Sequence, residues 1–237
     1  PDVIINAAAY TAVDKAEQDR EKAFAVNRDG AGAVAAAAAR LSVPVVHVST
    51  DYVYPGDKAT AYVESDATGP LGIYGQSKLE GEQAVRAAHP SPLILRTSWV
   101  YSPFGSNFVK TMLRVGATRS ELGVVDDQIG NPTSALDIAD AMLRIAPGLT
   151  TGGIFHLCGR GDVTWCGLAR HVFAVSKALG GPSPEVKAIT TADYPTPARR
   201  PANSCMSTDA FEQRFGFGLP HWKDSVADTV SRLLCDV

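Results

Sequence analysis

The 237-residue sequence lacks several features that point to particular protein classes. Its four cysteines show no Cys-x-x-Cys spacing and no histidine at zinc-finger distance, so we expect reduced, packing thiols. The formal net charge is -3 and no basic cluster occurs, which argues against nucleic acid or an anionic membrane as partner. No apolar run approaches the roughly 20 residues that span a bilayer, and the start lacks a signal-peptide pattern. We therefore expect a cytoplasmic protein that acts on small polar molecules.

A second missing feature is a glycine-rich turn between a first strand and a helix, which would take the pyrophosphate of a dinucleotide. The stretch Gly30-Ala31-Gly32-Ala33-Val34-Ala35 matches the G-x-G-x-x-A string, but it lies inside a helical pattern without a strand directly before it. We discard it. The chain begins at Pro1 and runs almost at once into a buried-type strand. We therefore expect an N-terminally truncated fold, with about 50 to 60 residues and the phosphate loop missing upstream.

The sequence does contain short apolar runs that alternate with helical stretches. Strands are predicted at Val3 to Ala9, Val43 to Val48 and Leu93 to Thr97, and helices at about Glu21 to Leu41 and Tyr74 to Ala88. This alternation is typical of an α/β fold with a doubly wound, Rossmann-like parallel sheet. Ligands bind such sheets beyond the carboxyl ends of the strands.

Beyond Trp99 the pattern is less regular. Helices are predicted near Ser106 to Thr118, Ala135 to Ile145, Thr164 to Leu179, Asp209 to Phe215 and Trp222 to Leu234, and strands at Leu122 to Val125 and Ile154 to Leu157. We predict a truncated dinucleotide-binding domain over residues 1–98 and 121–158, and a smaller substrate-binding lobe over residues 99–120 and 159–237. The same pattern is equally consistent with a different arrangement, in which the additional helices cap one sheet and form no separate lobe.

The most informative local pattern is Tyr74-Gly75-Gln76-Ser77-Lys78, which follows a strand ending in Ser49-Thr50-Asp51. Helical residues four apart share one face, with Cβ atoms about 5–6 Å apart, so a phenol and an ammonium can meet there. An ammonium favours the ionised phenol, and we therefore expect Lys78 to lower the pKa of Tyr74. With the Thr50 hydroxyl added, the pattern predicts a hydride-transfer active site in which Tyr74 delivers the proton.

Together with other motifs, these residues resemble the extended short-chain dehydrogenases that act on nucleotide sugars, and most closely the dTDP-4-dehydrorhamnose reductases. The motifs are Pro1-Asp2-Val3-Ile4-Ile5-Asn6-Ala7-Ala8-Ala9-Tyr10-Thr11-Ala12-Val13-Asp14, Ser49-Thr50-Asp51-Tyr52-Val53-Tyr54, Tyr74-Gly75-Gln76-Ser77-Lys78, Arg96-Thr97-Ser98-Trp99-Val100-Tyr101, Asn107-Phe108, Asp127-Gln128-Ile129-Gly130-Asn131-Pro132-Thr133 and Arg200-Pro201-Ala202-Asn203-Ser204. The resemblance covers the whole chain. It implies NADPH- or NADH-dependent reduction of the 4-keto group of dTDP-4-dehydro-6-deoxy-L-mannose to dTDP-L-rhamnose, in dTDP-rhamnose biosynthesis.

The resemblance also implies roles for individual residues. Lys78 would hydrogen-bond the nicotinamide ribose, and Thr50 would help to hold the keto oxygen. Cofactor contacts are implied at Ala7, Ala8, Ala9, Tyr10, Thr11, Val48, Tyr74 and Lys78. Substrate contacts are implied at Thr50, Asp51, Trp99, Asn107 and Arg200. Among these, Trp99 would flank the sugar, while Asn107 and Arg200 are candidates for the diphosphate, which arginine can bind with two parallel hydrogen bonds.

Two positions separate this sequence from related enzymes. Nucleotide-sugar dehydratases resemble the site but carry an Asp-Glu pair after the threonine, whereas here Asp51 is followed by Tyr52, so dehydration is disfavoured. Some reductases bind magnesium through glutamates at a dimer interface. The matching position here is Leu136, which offers no oxygen ligand, so we predict no metal site and leave open whether the chain forms a homodimer.

Three points stay open at this stage. The chain could instead be a non-catalytic regulatory or binding subunit that uses the same fold. It could also be another nucleotide-sugar reductase or an epimerase. The choice between NADH and NADPH is undecided, because the residues that read the ribose 2′ position are expected to lie in the missing part.

Overall fold

The computed structural model of the protein describes residues 1–235. Its strands are β1 (Ile4–Asn6), β2 (Val45–Thr50), β3 (Leu93–Thr97), β4 (Val100–Tyr101), β5 (Glu121–Val125), β6 (Ile129–Gly130), β7 (Thr133–Ser134), β8 (Gly153–His156), β9 (Val163–Thr164), β10 (Glu185–Ile189) and β11 (Asn203–Ser204). Its helices are α1 (Val13–Ala16), α2 (Arg20–Phe24), α3 (Ala31–Leu41), α4 (Ile73–Ala88), α5 (Phe108–Gly116), α6 (Ala135–Ile145), α7 (Trp165–Ala178), α8 (Asp209–Phe215) and α9 (Trp222–Cys235). A π-helical segment, Ala25–Gly30, joins α2 to α3. Within the described residues, none of the helices has the length and apolar character needed to cross a membrane.

The chain divides into two compact units, and the first contains the predicted parallel sheet. This unit consists of Pro1–Thr97, Ala141–Leu157 and Thr196–Phe217. Its sheet has the strand order β1-β2-β3-β8, and every neighbouring pair is parallel. The register aligns Thr50 with Thr97, so the carboxyl ends of β2 and β3 lie side by side. The predicted α/β fold with a Rossmann-like parallel sheet is confirmed.

Small residues let the helices of the first unit pack closely on this sheet. Ala31 and Ala35 of α3 form a core cluster with Val85 of α4 and Ile94 of β3. In α4, a Cβ at position 81 would lie 2.1 Å from the carbonyl oxygen of Asn27, so only glycine allows α4 to approach the π-helical segment this closely. The alanine run of the sequence thus serves helix packing, and α4 is held against β2.

The second unit comprises Ser98–Asp140, Cys158–Pro195 and the described part of Gly218–Val237. Its core lies among α5, α7 and α9 and includes Val109, Leu168, Val172 and Val226. Short strand pairs surround this core: β5 pairs with β10 and β4 with β7, both parallel, and β6 pairs with β9 antiparallel.

The compact units differ from the predicted domain boundaries in two segments. Residues 121–140 belong to the second unit because β5 pairs with β10 rather than with the main sheet, and residues 196–217 belong to the first unit. The strand β10 was not predicted, because its residues are exposed or only partly buried and give no apolar run. The functional division into a cofactor-binding domain and a substrate-binding lobe stays a prediction.

Three of the four cysteines occupy buried packing positions, in line with the sequence. Cys158, Cys166 and Cys205 are buried, and Cys235 is exposed. Cys166 and Cys235 carry free thiols. Burial raises the pKa of the Cys166 thiol, which keeps it protonated and unreactive.

Candidate active site

The candidate active site of the first unit begins where β2 ends. Thr50 is the last residue of β2, and its Oγ1 accepts a hydrogen bond from the Tyr52 N–H at 3.3 Å, which starts the short turn Asp51–Val53. A Cβ at position 75 would lie 2.2 Å from the Tyr52 carbonyl oxygen, so Gly75 is what lets the first turn of α4 reach this loop. Tyr74 is thereby placed against Tyr52, with ring centroids 5.4 Å apart.

Three side chains form a hydrogen-bonded path at this point. The Thr50 hydroxyl donates to Asp51 Oδ1 at 2.9 Å, and it also shares a hydrogen bond with the Tyr74 phenol. The path therefore links the Tyr74 phenol through Thr50 to the Asp51 carboxyl.

The Tyr74 phenol stays protonated in this environment. Its pKa is raised to about 12, chiefly by burial; the hydrogen bond with Thr50 lowers it and the charge of Asp51 raises it. The prediction that Lys78 lowers this pKa is wrong. The reason is geometric, since the Lys78 ammonium is directed at a backbone carbonyl of β2 and not at the phenol.

Lys78 lies one turn further along α4 and is 2% exposed. Its Nζ donates a hydrogen bond to the Val48 carbonyl oxygen at 2.6 Å, which fixes the ammonium beside the carboxyl end of β2. Burial lowers the pKa of Lys78 to about 8, and the nearby Glu82 carboxylate opposes this shift. An ammonium has three protons, so after the bond to Val48 it can still donate to a ligand.

Asp51 is a buried carboxyl, which no local sequence pattern predicts. It is 2% exposed, and Oδ2 has no hydrogen-bond partner within the described residues. Burial raises its pKa to about 6, against hydrogen bonds from Ser204 and Thr50 that lower it. Asp51 is therefore the one member of the path to Tyr74 that changes protonation near neutral pH.

Substitution of Asp51 by asparagine should stabilise the protein at neutral pH. The folded-state pKa of about 6 lies above the ordinary value of 3.8, so the protonated carboxyl stabilises the fold at low pH and this contribution is lost as pH rises through about 6. Relative to the Asn variant, the wild type should lose up to about 3 kcal/mol of unfolding free energy between acidic and neutral pH. Urea unfolding at a series of pH values measures the difference, with Asp162→Asn at an exposed position as control. If the difference in unfolding free energy between the wild type and Asp51→Asn did not change with pH, the raised pKa of Asp51 would be contradicted.

The segment after β1 lies on the same unit and carries the predicted cofactor contacts. Ala7, Ala8 and Thr11 are exposed, and Ala9 and Tyr10 are partly buried. Small or short side chains at exposed positions leave the backbone open to close approach by a ligand, which is what a dinucleotide requires.

Asn27, which was not predicted as a site residue, holds this segment against α4. Its side chain is 1% exposed. Its Oδ1 accepts from the Tyr10 N–H at 2.7 Å, and its Nδ2 donates to the Tyr10 carbonyl at 3.1 Å and to Ser77 Oγ at 2.9 Å. Ser77 lies next to Lys78 in the chain, so one amide joins the predicted cofactor segment to the helix that carries Tyr74 and Lys78. The signal in the sequence was an asparagine within an otherwise alanine-rich helix.

A buried ion pair between Glu82 and Arg96 lies in the same unit as the candidate site, and it was also not predicted. Arg96 of β3 donates two hydrogen bonds to Glu82 of α4, Nε at 2.9 Å and Nη2 at 2.7 Å. Ser49 Oγ donates to the same carboxylate at 2.5 Å, and Arg96 Nη1 donates to the Tyr54 hydroxyl at 2.6 Å. Tyr54 is in turn bonded to His156 Nε2 at 2.7 Å. The network joins β2, β3, β8 and α4. A charged residue inside the apolar run of β3 was the signal that could have revealed it.

Arg200 is not a freely projecting side chain. Its guanidinium donates to both carboxylate oxygens of Asp14, at 3.1 and 2.8 Å. Asp14 Oδ1 also accepts from the Ala198 N–H at 3.1 Å, and the hydrogen bond from Arg200 is the largest cause that lowers the pKa of Asp14. The ion pair fixes the loop around Arg200, so a diphosphate contact would have to use guanidinium protons that Asp14 does not take.

The remaining two predicted substrate residues lie in the second unit. Asn107 caps α5: its Oδ1 accepts from the Lys110 N–H at 3.2 Å, and its Nδ2 donates to the Ser102 carbonyl at 2.7 Å. Helix capping accounts for this side chain without any ligand. Trp99 has a φ of +46°, and its indole stacks on that of Trp165 with ring centroids 3.5 Å apart. Such a backbone conformation costs on the order of 1–3 kcal/mol for a bulky residue and is concentrated at functional sites.

The chain is similar to known proteins over its whole length. The family model described as the RmlD substrate binding domain matches residues 1–235. A protein from Sinorhizobium fredii named dTDP-4-dehydrorhamnose reductase is 53% identical over 242 residues, which cover 100% of this chain and 82% of that protein. A protein of the same name from Escherichia coli K12 is 44% identical over 239 residues, which cover 98% of this chain and 80% of that protein.

Solved structures give the same result. The crystal structure of a dTDP-4-dehydrorhamnose reductase from Clostridium acetobutylicum superposes with a TM-score of 0.92 at 39% identity, covering 98% of this chain and 81% of that one. That of dTDP-4-dehydrorhamnose reductase from Bacillus anthracis in complex with NADP gives 0.91 at 34% identity, covering 100% and 81%. The chain therefore belongs to the family of the RmlD substrate binding domain.

Proposed function

We propose that this chain catalyses the NAD(P)H-dependent reduction of the 4-keto group of dTDP-4-dehydro-6-deoxy-L-mannose to dTDP-L-rhamnose. The observation that carries the proposal is the hydrogen-bonded pair of Thr50 and Tyr74 with Lys78 one helical turn away. The names of its relatives in Sinorhizobium fredii and Escherichia coli support the same reaction.

Each of the three side chains has a role that follows from its environment. Tyr74 is a neutral phenol up to about pH 12, so it can donate a proton to a carbonyl oxygen as negative charge develops there. Thr50 aligns the phenol and is placed to hydrogen-bond the same oxygen. Lys78, fixed through Val48, contributes a positive charge and two further donor protons at the carboxyl end of β2.

The residues present also fit a nicotinamide dinucleotide. A bound NAD(P)H would supply the hydride for the keto carbon. Ala7, Ala8, Ala9, Tyr10 and Thr11 would hold it through the exposed segment after β1, and Val48, Tyr74 and Lys78 would lie at the nicotinamide end. Lys78 supports this assignment, because a buried ammonium with a single acceptor among the described residues has donors to spare for ribose hydroxyls.

Substrate contacts are proposed at Thr50, Asp51, Trp99, Asn107 and Arg200. Trp99 would flank the sugar, while Asn107 and Arg200 would lie near the diphosphate. In this proposal residues 1–98 carry most of the cofactor contacts.

A cytoplasmic location also belongs to the proposal, and the oligomeric state stays open. The free thiols of Cys166 and Cys235 suit a reducing compartment. Size-exclusion chromatography with light scattering would measure the oligomeric state directly.

The test is turnover with the keto sugar. We expect the protein to consume NADPH or NADH in the presence of dTDP-4-dehydro-6-deoxy-L-mannose and to form dTDP-L-rhamnose, identified by chromatography and NMR. A different sugar product would replace the proposal by another reductase or an epimerase. No consumption of either cofactor, together with capture of a stable enzyme partner, would replace it by a regulatory subunit.

The pH dependence of turnover should show a basic limb set by Lys78. Its pKa is lowered to about 8, so the required ammonium is present below this pH and is lost above it, and kcat/KM should fall as pH rises through about 8. Tyr74 titrates only near pH 12 and cannot produce this limb. In Lys78→Arg the guanidinium stays charged, so the variant should be slower but have no such limb. A wild-type profile that stays flat through about pH 8 would exclude a required Lys78 ammonium.

A further inference from the structure

Trp99 has a backbone conformation that a bulky side chain rarely adopts. Its φ of +46° lies in the left-handed region, where tryptophan is found only if the surrounding structure imposes it. Hydrogen bonds fix the backbone on either side: Ser98 Oγ donates to the Asn131 carbonyl at 2.8 Å, and the Thr133 N–H donates to the Trp99 carbonyl at 3.2 Å. The segment 131–133 therefore holds Trp99 in this conformation.

The indole of Trp99 is fixed as well. It lies face to face on the Trp165 indole, with ring centroids 3.5 Å apart and planes 4° from parallel. Aromatic pairs prefer offset or edge-to-face arrangements, so packing imposes this overlap. On Gly130, a Cβ would lie 2.5 Å from Cε2 of the Trp99 ring, so the ring can occupy its place only above a glycine.

The pairing of β6 with β9 positions both residues that contact the Trp99 ring, Gly130 and Trp165. In the antiparallel pairing of β6 with β9, Gly130 lies opposite Val163 and Ile129 opposite Thr164. Thr164 caps α7 by accepting from the Gly167 N–H at 3.0 Å, which sets Trp165 as the first residue of the helix. Phe108 packs against Trp165 with ring centroids 4.7 Å apart. Trp165 is therefore itself held rigidly.

We propose that Trp165 is a positioning residue that, with Gly130, fixes the Trp99 indole as a rigid wall for the pyranose ring of the nucleotide sugar. The inference rests on the proposed function, in which Trp99 flanks the sugar. Both indoles remain partly exposed. The C–H groups of a pyranose face are apolar and pack on an aromatic ring. Because the Trp99 side chain is ordered before the sugar arrives, its rotamer entropy is not lost on binding.

The test compares two substitutions at position 165 with a matched control. Trp165→Leu removes the stack, Trp165→Phe keeps an aromatic ring, and Phe173→Leu removes a different buried ring from the same helix. Calorimetry in the presence of NADPH measures binding of dTDP-L-rhamnose and of dTDP, and their ratio isolates the sugar contact. Circular dichroism in the far ultraviolet detects the coupled bands that two stacked indoles produce.

The wild type should show coupled indole bands, and Trp165→Leu should lose them. The leucine variant should bind dTDP-L-rhamnose about 3- to 10-fold more weakly, the cost of ordering one side chain, with dTDP binding unchanged. Trp165→Phe should recover most of the affinity, and Phe173→Leu should change neither signal.

The inference is overturned if Trp165→Leu leaves the affinity for dTDP-L-rhamnose intact, if it weakens dTDP equally, or if Phe173→Leu produces the same loss. If the affinity for dTDP-L-rhamnose depends on Trp165 but the protein does not reduce the keto sugar, the proposed function is refuted and this inference is supported.

Discussion

Substitution of Tyr74 by phenylalanine should abolish most turnover while leaving the fold and cofactor binding in place. The phenol is the proton donor in the proposed reaction, and loss of a positioned acid typically lowers the rate about 100- to 10,000-fold. The phenylalanine ring can keep the edge-to-face contact with Tyr52. The loss should appear in kcat rather than in the KM for NADPH, and stopped-flow or steady-state measurement of NADPH oxidation would record it.

A matched control for this variant is Tyr194→Phe. Tyr194 is 61% exposed and lies outside the candidate site, so removal of its hydroxyl should leave kcat unchanged. Fluorescence titration with NADPH checks that Tyr74→Phe still binds the cofactor. Turnover of Tyr74→Phe at the wild-type rate would refute the role of the phenol and, with it, the assignment of the active site.

Disruption of the buried pair Glu82–Arg96 should cause the largest loss of stability. The side chains of Arg96 and Glu82 are 4% and 3% exposed, and the guanidinium donates two hydrogen bonds to the carboxylate. Glu82→Gln leaves the buried Arg96 charge without its partner, which typically costs about 3–5 kcal/mol. Urea unfolding followed by circular dichroism would measure it. Because Glu82 raises the pKa of Lys78, the basic limb of the pH profile should also move to lower pH.

Two comparisons make this prediction specific. Glu121→Gln breaks an exposed ion pair, in which the Glu121 side chain is 48% exposed and that of Lys187 is 53% exposed. This variant should lose less than about 1 kcal/mol of unfolding free energy. The double variant Glu82→Met with Arg96→Met should lose less stability than Glu82→Met alone, because no unpaired charge remains in the core. If Glu82→Gln and Glu121→Gln lost the same unfolding free energy, the buried pair would contribute no more to stability than the exposed one.

Local sequence pattern predicted the parts of the fold whose signal is local. The strands at Val45–Thr50 and Leu93–Thr97 and the helix at Ile73–Ala88 were found close to their observed bounds, since buried β-branched runs and helical periodicity are properties of neighbouring residues. The strand Glu185–Ile189 was missed, because it is mostly exposed and exists through its pairing with β5. The same pairing places residues 121–140 in the second compact unit, whereas the division into functional domains stays a prediction.

Some features of the candidate site could likewise be predicted from the sequence, and others could not. The spacing of Tyr74 and Lys78 and the strand-end position of Thr50 could be read directly, because each depends on a few adjacent residues. The direction of the Tyr74 pKa could not, since it depends on where the Lys78 ammonium points and on how deeply the phenol is buried. Asn27 was missed because its partners Tyr10 and Ser77 are distant in sequence.

The sequence by itself determined which chemical groups this protein has: a phenol, an ammonium and a hydroxyl at the ends of predicted elements, and a set of motifs that identifies the family. Only the tertiary structure decided the protonation states and the contacts of these groups. It made Asp51 a carboxyl that titrates near pH 6, tied Arg200 to Asp14, and stacked Trp99 on Trp165. Burial and long-range contacts set protonation and orientation, and both arise only when residues far apart in the chain come together.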